Sequence, residues 1–313
     1  MTTTKKKSSA GVADDALFDW TQVEDANEVV SLVDIGANLA DSCFDPDRLD
    51  VVNRARCHGR VSSIVVTGTS LAASRRALDV ASDMAAETES PRVFATAGVH
   101  PHDVGSLGDA GLDGLMELVE HPRCVAVGEC GLDYNRDFSP RDVQRRFFEA
   151  QLRLAVDVGK PVFAHCREAA DDLASIIECV AKDVQTGNTT GTEPCALPVP
   201  VVVHCFTGSV AEAQRFVSLG CSIGFTGWIC DEREGRNEQM AEVIKVIPDD
   251  RLMIETDAPY LPPRSIKPGK LRPRRNEPCL LPYVLHAVAE ARQTSMKTVA
   301  DLTTANATRF FGL

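Results

Sequence analysis

From Val30 onward, short apolar runs alternate with longer amphipathic stretches. The runs are SLVDIGANL, SSIVVTGT, RVFATAGVHP, CVAVGECGLD, PVFAHC, VPVVVHCF, CSIGFTG and LMIETDAPY. Each is too short for a helix, rich in β-branched residues, and shows no polar alternation. That pattern predicts strands covered on both faces, as in a parallel sheet. The stretches between them carry apolar residues at helical spacing. In SPRDVQRRFFEAQLRLAVDVG, Phe147, Leu152 and Leu154 mark one face, and Gly159 offers a C-terminal cap. Ser139 is expected to cap its start, with Pro140 at the first helical position.

Eight strands alternating with helices in a chain of 313 residues predict a single-domain α/β fold, a closed (β/α)8 TIM-like barrel. The first strand lacks the Gly-rich turn of a dinucleotide-binding sheet. Residues 29–313 are assigned to the barrel and residues 1–28 to a flexible tail, with a helical tendency near Phe18 and Trp20. Two segments break the pattern. Residues 183–200 are rich in Gly, Thr and Pro and read as a surface loop. Residues 259–278 form a Pro- and Arg-rich segment after the eighth strand, on the face where barrel enzymes keep their sites.

A net charge of −12 argues against a general basic surface for gripping long nucleic acid. The eleven cysteines form no CxxC pair, and no apolar run approaches the ~20 residues that span a membrane. Reduced thiols and a cytoplasmic location are expected. The lysines at 5, 6 and 7 raise the nucleus as the alternative.

The chemistry gathers at the strand ends. Four of the seven histidines lie there: His100 and His102 after the third run, His165 in the fifth and His204 in the sixth. The fourth run ends with Glu129 and Asp133, and the eighth with Glu255 and Asp257. A barrel brings all strand C-termini to one mouth. Glu129, His165, His204 and Asp257 then form a mixed nitrogen and oxygen set suited to a divalent metal, Mg²⁺ first, with Mn²⁺ or Zn²⁺ as alternatives. Cys130, Cys166 and Cys205 neighbour these ligands, and alternation along a strand should turn them toward the helices. The basic segment 264–275 is placed to offer positive charge to a polyanion at the mouth.

The motifs DIGANL at 34–39, AGVHPH at 97–102, GECGLD at 128–133, PVFAHCRE at 161–168, HCFTG at 204–208, ETDAPYL at 255–261, RRNEP at 274–278 and NATRFFG at 306–312 occur in the order that resembles the TatD-type metal-dependent deoxyribonucleases. The resemblance implies hydrolysis of DNA phosphodiester bonds, as a 3′→5′ exonuclease on single strands or accessible ends, with a role in DNA repair or degradation. It implies Glu129, His165, His204 and Asp257 as the metal-site residues; in the mechanism expected here Glu129, His165 and His204 hold the metal and Asp257 orients and deprotonates the attacking water. His100 would donate to the phosphate or leaving group. Arg167 and Arg275 would neutralise phosphate charge, and Asn38 and His102 would make secondary contacts. The family's broader pattern has His-x-His on the first strand. Here Gly36 and Asn38 stand in those places, which implies one firmly held metal with a weaker or substrate-assisted second. Rival readings are an amidohydrolase or aminoacyl-tRNA deacylase on the same barrel and a non-catalytic binding protein.

Overall fold

The computed structural model describes residues 11–24, 26–29, 31–86, 91–107, 111–185 and 197–313. The lysines at 5–7 and most of the 183–200 loop lie outside these residues.

All eight expected strands form: β1 (Leu32–Ala37), β2 (Val61–Val66), β3 (Arg92–Ala97), β4 (Cys124–Asp133), β5 (Val162–Arg167), β6 (Val201–Val203), β7 (Ser222–Phe225) and β8 (Leu252–Ile254). Each pairs in parallel with the next, in the order β1 to β8. Closure comes just beyond β8. Ala37 bridges Ala258, the Asp257 N–H donates to the Gly36 carbonyl at 2.8 Å, and the Asn38 N–H donates to the Ala258 carbonyl at 2.6 Å. Asp34, fully buried, fastens this seam from inside. Its carboxylate accepts the Thr256 N–H at 2.9 Å and the Thr256 hydroxyl at 2.6 Å. Burial without a cation pushes its pKa up to about 7.

The helices are α1 (Arg48–Cys57), α2 (Leu71–Asp83), α3 (Gly111–Val119), α4 (Arg141–Val158), α5 (Ala170–Gln185), α6 (Val210–Ser218), α7 (Arg236–Val246), α8 (Leu281–Arg292) and α9 (Met296–Phe311). One set of strand side chains faces these helices. The other fills the barrel: Val33, Ile35, Val65, Phe163, Val202 and Met253 meet Phe310 and Phe311 of α9. Asn306 donates to the carbonyls of Asp249 and Leu252, at the start of β8. The NATRFFG motif therefore plugs the end opposite the strand C-termini.

Two local expectations change. Gly159 caps α4 in the left-handed conformation as expected, but Pro140 occupies the N-cap and Ser139 does not cap. The Ser139 hydroxyl instead donates to the His102 carbonyl at 3.1 Å and accepts the Gly105 N–H at 2.9 Å, tying the loop after β4 to the loop after β3. The described part of residues 11–28 is not a free tail. Phe18 packs edge-on against Tyr283 at 5.1 Å, Arg60 lies 4.0 Å over the Trp20 ring, and Val12 and Ala16 are buried with Ile266 and Leu280. Among the described residues, no helix is long and apolar enough to cross a membrane.

Candidate active site

A cavity of about 730 Å³ opens where the strands end. Its floor carries Glu129, His165, His204 and Asp257, and its wall carries His100 and Asn38. Glu129 reaches it through a bulge. Gly128 pairs with Phe163 and Cys130 with Ala164, so Glu129 is the extra residue, and a bulge re-aims a side chain. Gly128 is required there. Its φ is +146°, and a Cβ would lie 2.2 Å from the Phe163 carbonyl oxygen. Asp257 sits past β8 with φ +55°, and Cys205 and Leu261, also on the cavity, have positive φ as well. Such backbone costs stability and gathers at functional sites.

Three imidazoles converge on one oxygen. Glu129 Oε1 lies 2.8 Å from His204 Nε2, 3.1 Å from His165 Nδ1 and 3.3 Å from His100 Nε2. Burial alone would raise the Glu129 pKa, but these imidazoles, His204 foremost, hold it well below the usual range. Burial likewise disfavours charge on His204, yet Glu129 and Glu255 raise its pKa well above the ordinary value. Among the described residues, the buried atoms His165 Nε2, His204 Nδ1 and Glu255 Oε2 have no hydrogen-bond partner. Three ring nitrogens within 3.3 Å of one buried carboxylate oxygen fit a small divalent cation, which takes a mixed nitrogen and oxygen donor set.

His100, Glu129 and His165 offer ligand atoms all within 4.8 Å of one another. The tautomer separates His100 from the other two. Its Nδ1 accepts the His102 N–H at 3.1 Å, so in the neutral ring the proton sits on Nε2, facing Glu129. Burial lowers the pKa of this imidazole and keeps it neutral. His100 is therefore built as a donor into the cavity rather than as a metal ligand.

The remaining expected residues separate. Asn38 Nδ2 donates to Asp257 Oδ1 at 3.0 Å, which fixes that carboxylate. His102 and Arg167 line the cavity. Arg275 does not. Its guanidinium forks onto Asp47 at 2.9 and 2.7 Å and onto Glu277 at 2.7 Å, and its side chain is only 17% exposed. The expected phosphate contact through Arg275 is replaced by an internal ion cluster. Arg264 and Lys267 of the same segment face Asp231 and Glu232. Arg136, on the loop after β4, lines the cavity and was not anticipated. Among the described residues, neither it nor Arg167 has a carboxylate within ion-pair distance.

Cys130 is buried in the helix-facing core as expected, and Cys166 packs against that core. Cys205 is the exception. β6 ends at Val203, alternation stops with it, and Cys205 lines the cavity. Burial, then the charges of Asp257 and Glu255, raise its thiol pKa far above normal, so it stays a protonated, poor nucleophile.

Two acids without an assigned role lie directly behind the imidazoles. Asp133 Oδ2 is 2.8 Å from His102 Nε2 and 3.4 Å from His165 Nε2. Glu255, fully buried, is 3.5 Å from His204 Nδ1 and accepts the Cys205 N–H at 2.5 Å. Such partners orient imidazole ligands. The signal lay at the strand ends: Asp133 closes the fourth apolar run with Glu129, and Glu255 stands in the eighth run with Asp257.

Glu255 also explains the first strand. A Cβ on Gly36 would lie 2.3 Å from Glu255 Oε2 and 2.9 Å from Phe163 Cζ. Any side chain at position 36 forces the buried Glu255 carboxylate and the Phe163 ring to shift. Replacing Gly36 with Ala should therefore destabilise the fold by about 2 kcal/mol through overpacking. Chemical denaturation reads this out, and an unchanged midpoint would show that Glu255 has room to yield.

Known proteins share the sequence pattern and the barrel. Residues 33–312 match a family model described as TatD related DNase. The chain is 43% identical over 282 residues to the 3′-5′ ssDNA/RNA exonuclease TatD of Rahnella sp., covering 90% of this chain and 98% of that protein. Among solved structures, a TatD family hydrolase from Entamoeba histolytica superposes with TM-score 0.75 at 26% identity, over 90% of this chain and 97% of that one. An uncharacterized amidohydrolase from Saccharomyces cerevisiae superposes with TM-score 0.76 at 25% identity, over 90% and 100%.

Proposed function

Since the chain belongs to the TatD related DNase family, we propose that it is a divalent-metal-dependent 3′→5′ exonuclease acting on single-stranded DNA ends, and on RNA of the same form. The observation that carries this reading is the gathering of Glu129, His165, His204 and Asp257 in one cavity also lined by Arg136 and Arg167, neither of which has an ion-pair partner among the described residues.

Glu129, His165 and His204 would hold the cation, with Asp257 beside them. When bound, it would supply positive charge to the phosphate and acidify the attacking water. Asp257 accepts the proton of that water, held in orientation by the Asn38 amide. The His100 Nε2–H donates a hydrogen bond to a phosphate oxygen as charge develops there. Arg136 and Arg167 neutralise the phosphates on either side of the scissile one. The rival amide-cleaving reading expects a lysine among the metal groups. Among the described residues no lysine lines this cavity, and Lys160 is committed to the Cys124 carbonyl at 2.7 Å, at the start of β4.

The test is purified full-length protein with a 5′-labelled single-stranded oligonucleotide and Mg²⁺, Mn²⁺ or Zn²⁺ in parallel. The expected result is a ladder shortening from the 3′ end that a chelator stops. Intact oligonucleotide with every metal would overturn the reading. So would shortening that a chelator leaves untouched.

A further inference from the structure

A singly exposed apolar side chain is ordinary, so what singles out two of them here is their place at the rim of the cavity. Among the described residues four are exposed, and two of these are aromatic: Phe138 at 68% and Tyr260 at 55%. Both stand at the mouth. Tyr260 lines the cavity three residues past Asp257. Phe138 packs edge-on against the cavity residue His102, with ring centroids 4.8 Å apart.

Their places in the barrel are opposed. Phe138 is on the loop after β4 and leans toward the loop after β3, whereas Tyr260 follows β8, next to β1. In a closed ring ordered β1 to β8, those two positions lie across the mouth from each other. The Tyr260 backbone is pinned directly, and that of Phe138 through its neighbour. The Tyr260 carbonyl accepts from Asn276 Nδ2 at 2.7 Å and its N–H donates to the Asp257 carbonyl at 3.0 Å. Phe138 immediately precedes Ser139, whose hydroxyl ties that loop to the 102–105 segment. Arg136 stands two residues before Phe138 and lines the cavity.

We propose that Phe138 and Tyr260 form a two-sided stacking clamp that receives the unpaired bases next to the scissile phosphate. This inference rests on the nuclease reading of the same site and names the part of the substrate that the rim recognises. Every nucleobase offers a π-face, so such a clamp is tolerant of sequence. It demands splayed bases, which a duplex end does not present until it frays. The clamp thus selects strandedness, and the metal cavity selects the phosphate. It also suits an acidic protein, because stacking supplies affinity that a general basic surface does not.

The experiment compares wild type, Phe138→Ala, Tyr260→Ala and Tyr260→Phe on two single-stranded oligonucleotides. One is normal, and the other has abasic sites at its two 3′-terminal positions. On the normal strand each alanine variant is expected to raise KM about tenfold with little change in kcat. On the abasic strand the variants and wild type should coincide, and Tyr260→Phe should match wild type on both. Equal penalties on both strands, or none on either, would overturn the clamp.

A second readout needs no turnover. A 3′-terminal 2-aminopurine should be quenched on binding to wild type in chelator, and the quench should be lost in Phe138→Ala and Tyr260→Ala. Bound but unquenched probe would also overturn the proposal. Failure of the nuclease reading has a different signature: wild type would cleave neither strand with any metal, while the quenching arm would still report on stacking.

Discussion

Replacing Asp257 with Asn is expected to lower kcat by about 10³-fold, within the range that a positioned general base contributes. The substitution keeps size and shape. The Asn38 amide, which now donates to Asp257 Oδ1 at 3.0 Å, would find an amide oxygen in the same place. The barrel seam would survive, because it uses the Asp257 backbone N–H and not the side chain. What disappears is the only part of the residue able to take a proton. Burial pushes the Asp257 carboxyl up to about 8; His204 opposes this, and the carboxylates of Glu129 and Glu255 reinforce it. The carboxyl therefore keeps its proton near neutral pH until positive charge is placed beside it. The working base is the deprotonated form, so wild-type activity should rise with pH along an acid limb, and a bound cation should move that limb to lower pH. The Asn variant should show residual activity without that limb. Single-turnover cleavage of a labelled oligonucleotide across pH measures both features. A rate near wild type, or an unaltered acid limb, would remove Asp257 from the role of base.

The barrel was legible because its strands are covered on both sides. Burial on both faces turns each strand into an apolar run, and the wide spacing between runs leaves room for one helix each. The site was legible for a related reason: barrel closure gathers strand ends, so His165 and His204 could be placed together although their strands pair only through backbone. What the sequence hid were the places where regular geometry stops. Alternation along a strand located Cys130 correctly and misplaced Cys205, since β6 ends two residues earlier. The bulge that turns Glu129 inward depends on how β4 registers against β5, a pairing invisible in either strand alone. Gly36 reads as a lost ligand when only the chain is seen. In three dimensions it is the space that Glu255 occupies.

The basic segment failed for an electrostatic reason, and the same reason predicts a measurable effect. A run of arginines says nothing about which carboxylates will fold against it. Asp47 is the N-cap residue of α1 but caps nothing with its side chain, because its carboxylate faces Arg275 and, at 3.5 Å, Arg54. Glu277 is fully buried and accepts from Arg54 at 2.9 and 3.1 Å and from Arg275 at 2.7 Å. The Arg275 guanidinium also lies 4.7 Å over the Phe44 ring and donates to the Cys43 carbonyl. Removing it by Arg275→Ala leaves the buried Glu277 and the half-buried Asp47 sharing Arg54. Breaking such a set from one side costs about 3 kcal/mol, the lower end of the range for buried pairs, since Arg54 remains. Lysine should not rescue the loss, because an ammonium cannot reproduce the two-pronged fork onto Asp47. KM for an oligonucleotide should stay within about twofold, since a side chain outside the cavity adds no phosphate contact. Urea unfolding followed by circular dichroism, paired with steady-state kinetics, separates the two accounts. Intact stability with a sharply raised KM would return Arg275 to the substrate. Lost stability with an unchanged KM assigns it to the joint between the loop after β8 and the start of α1.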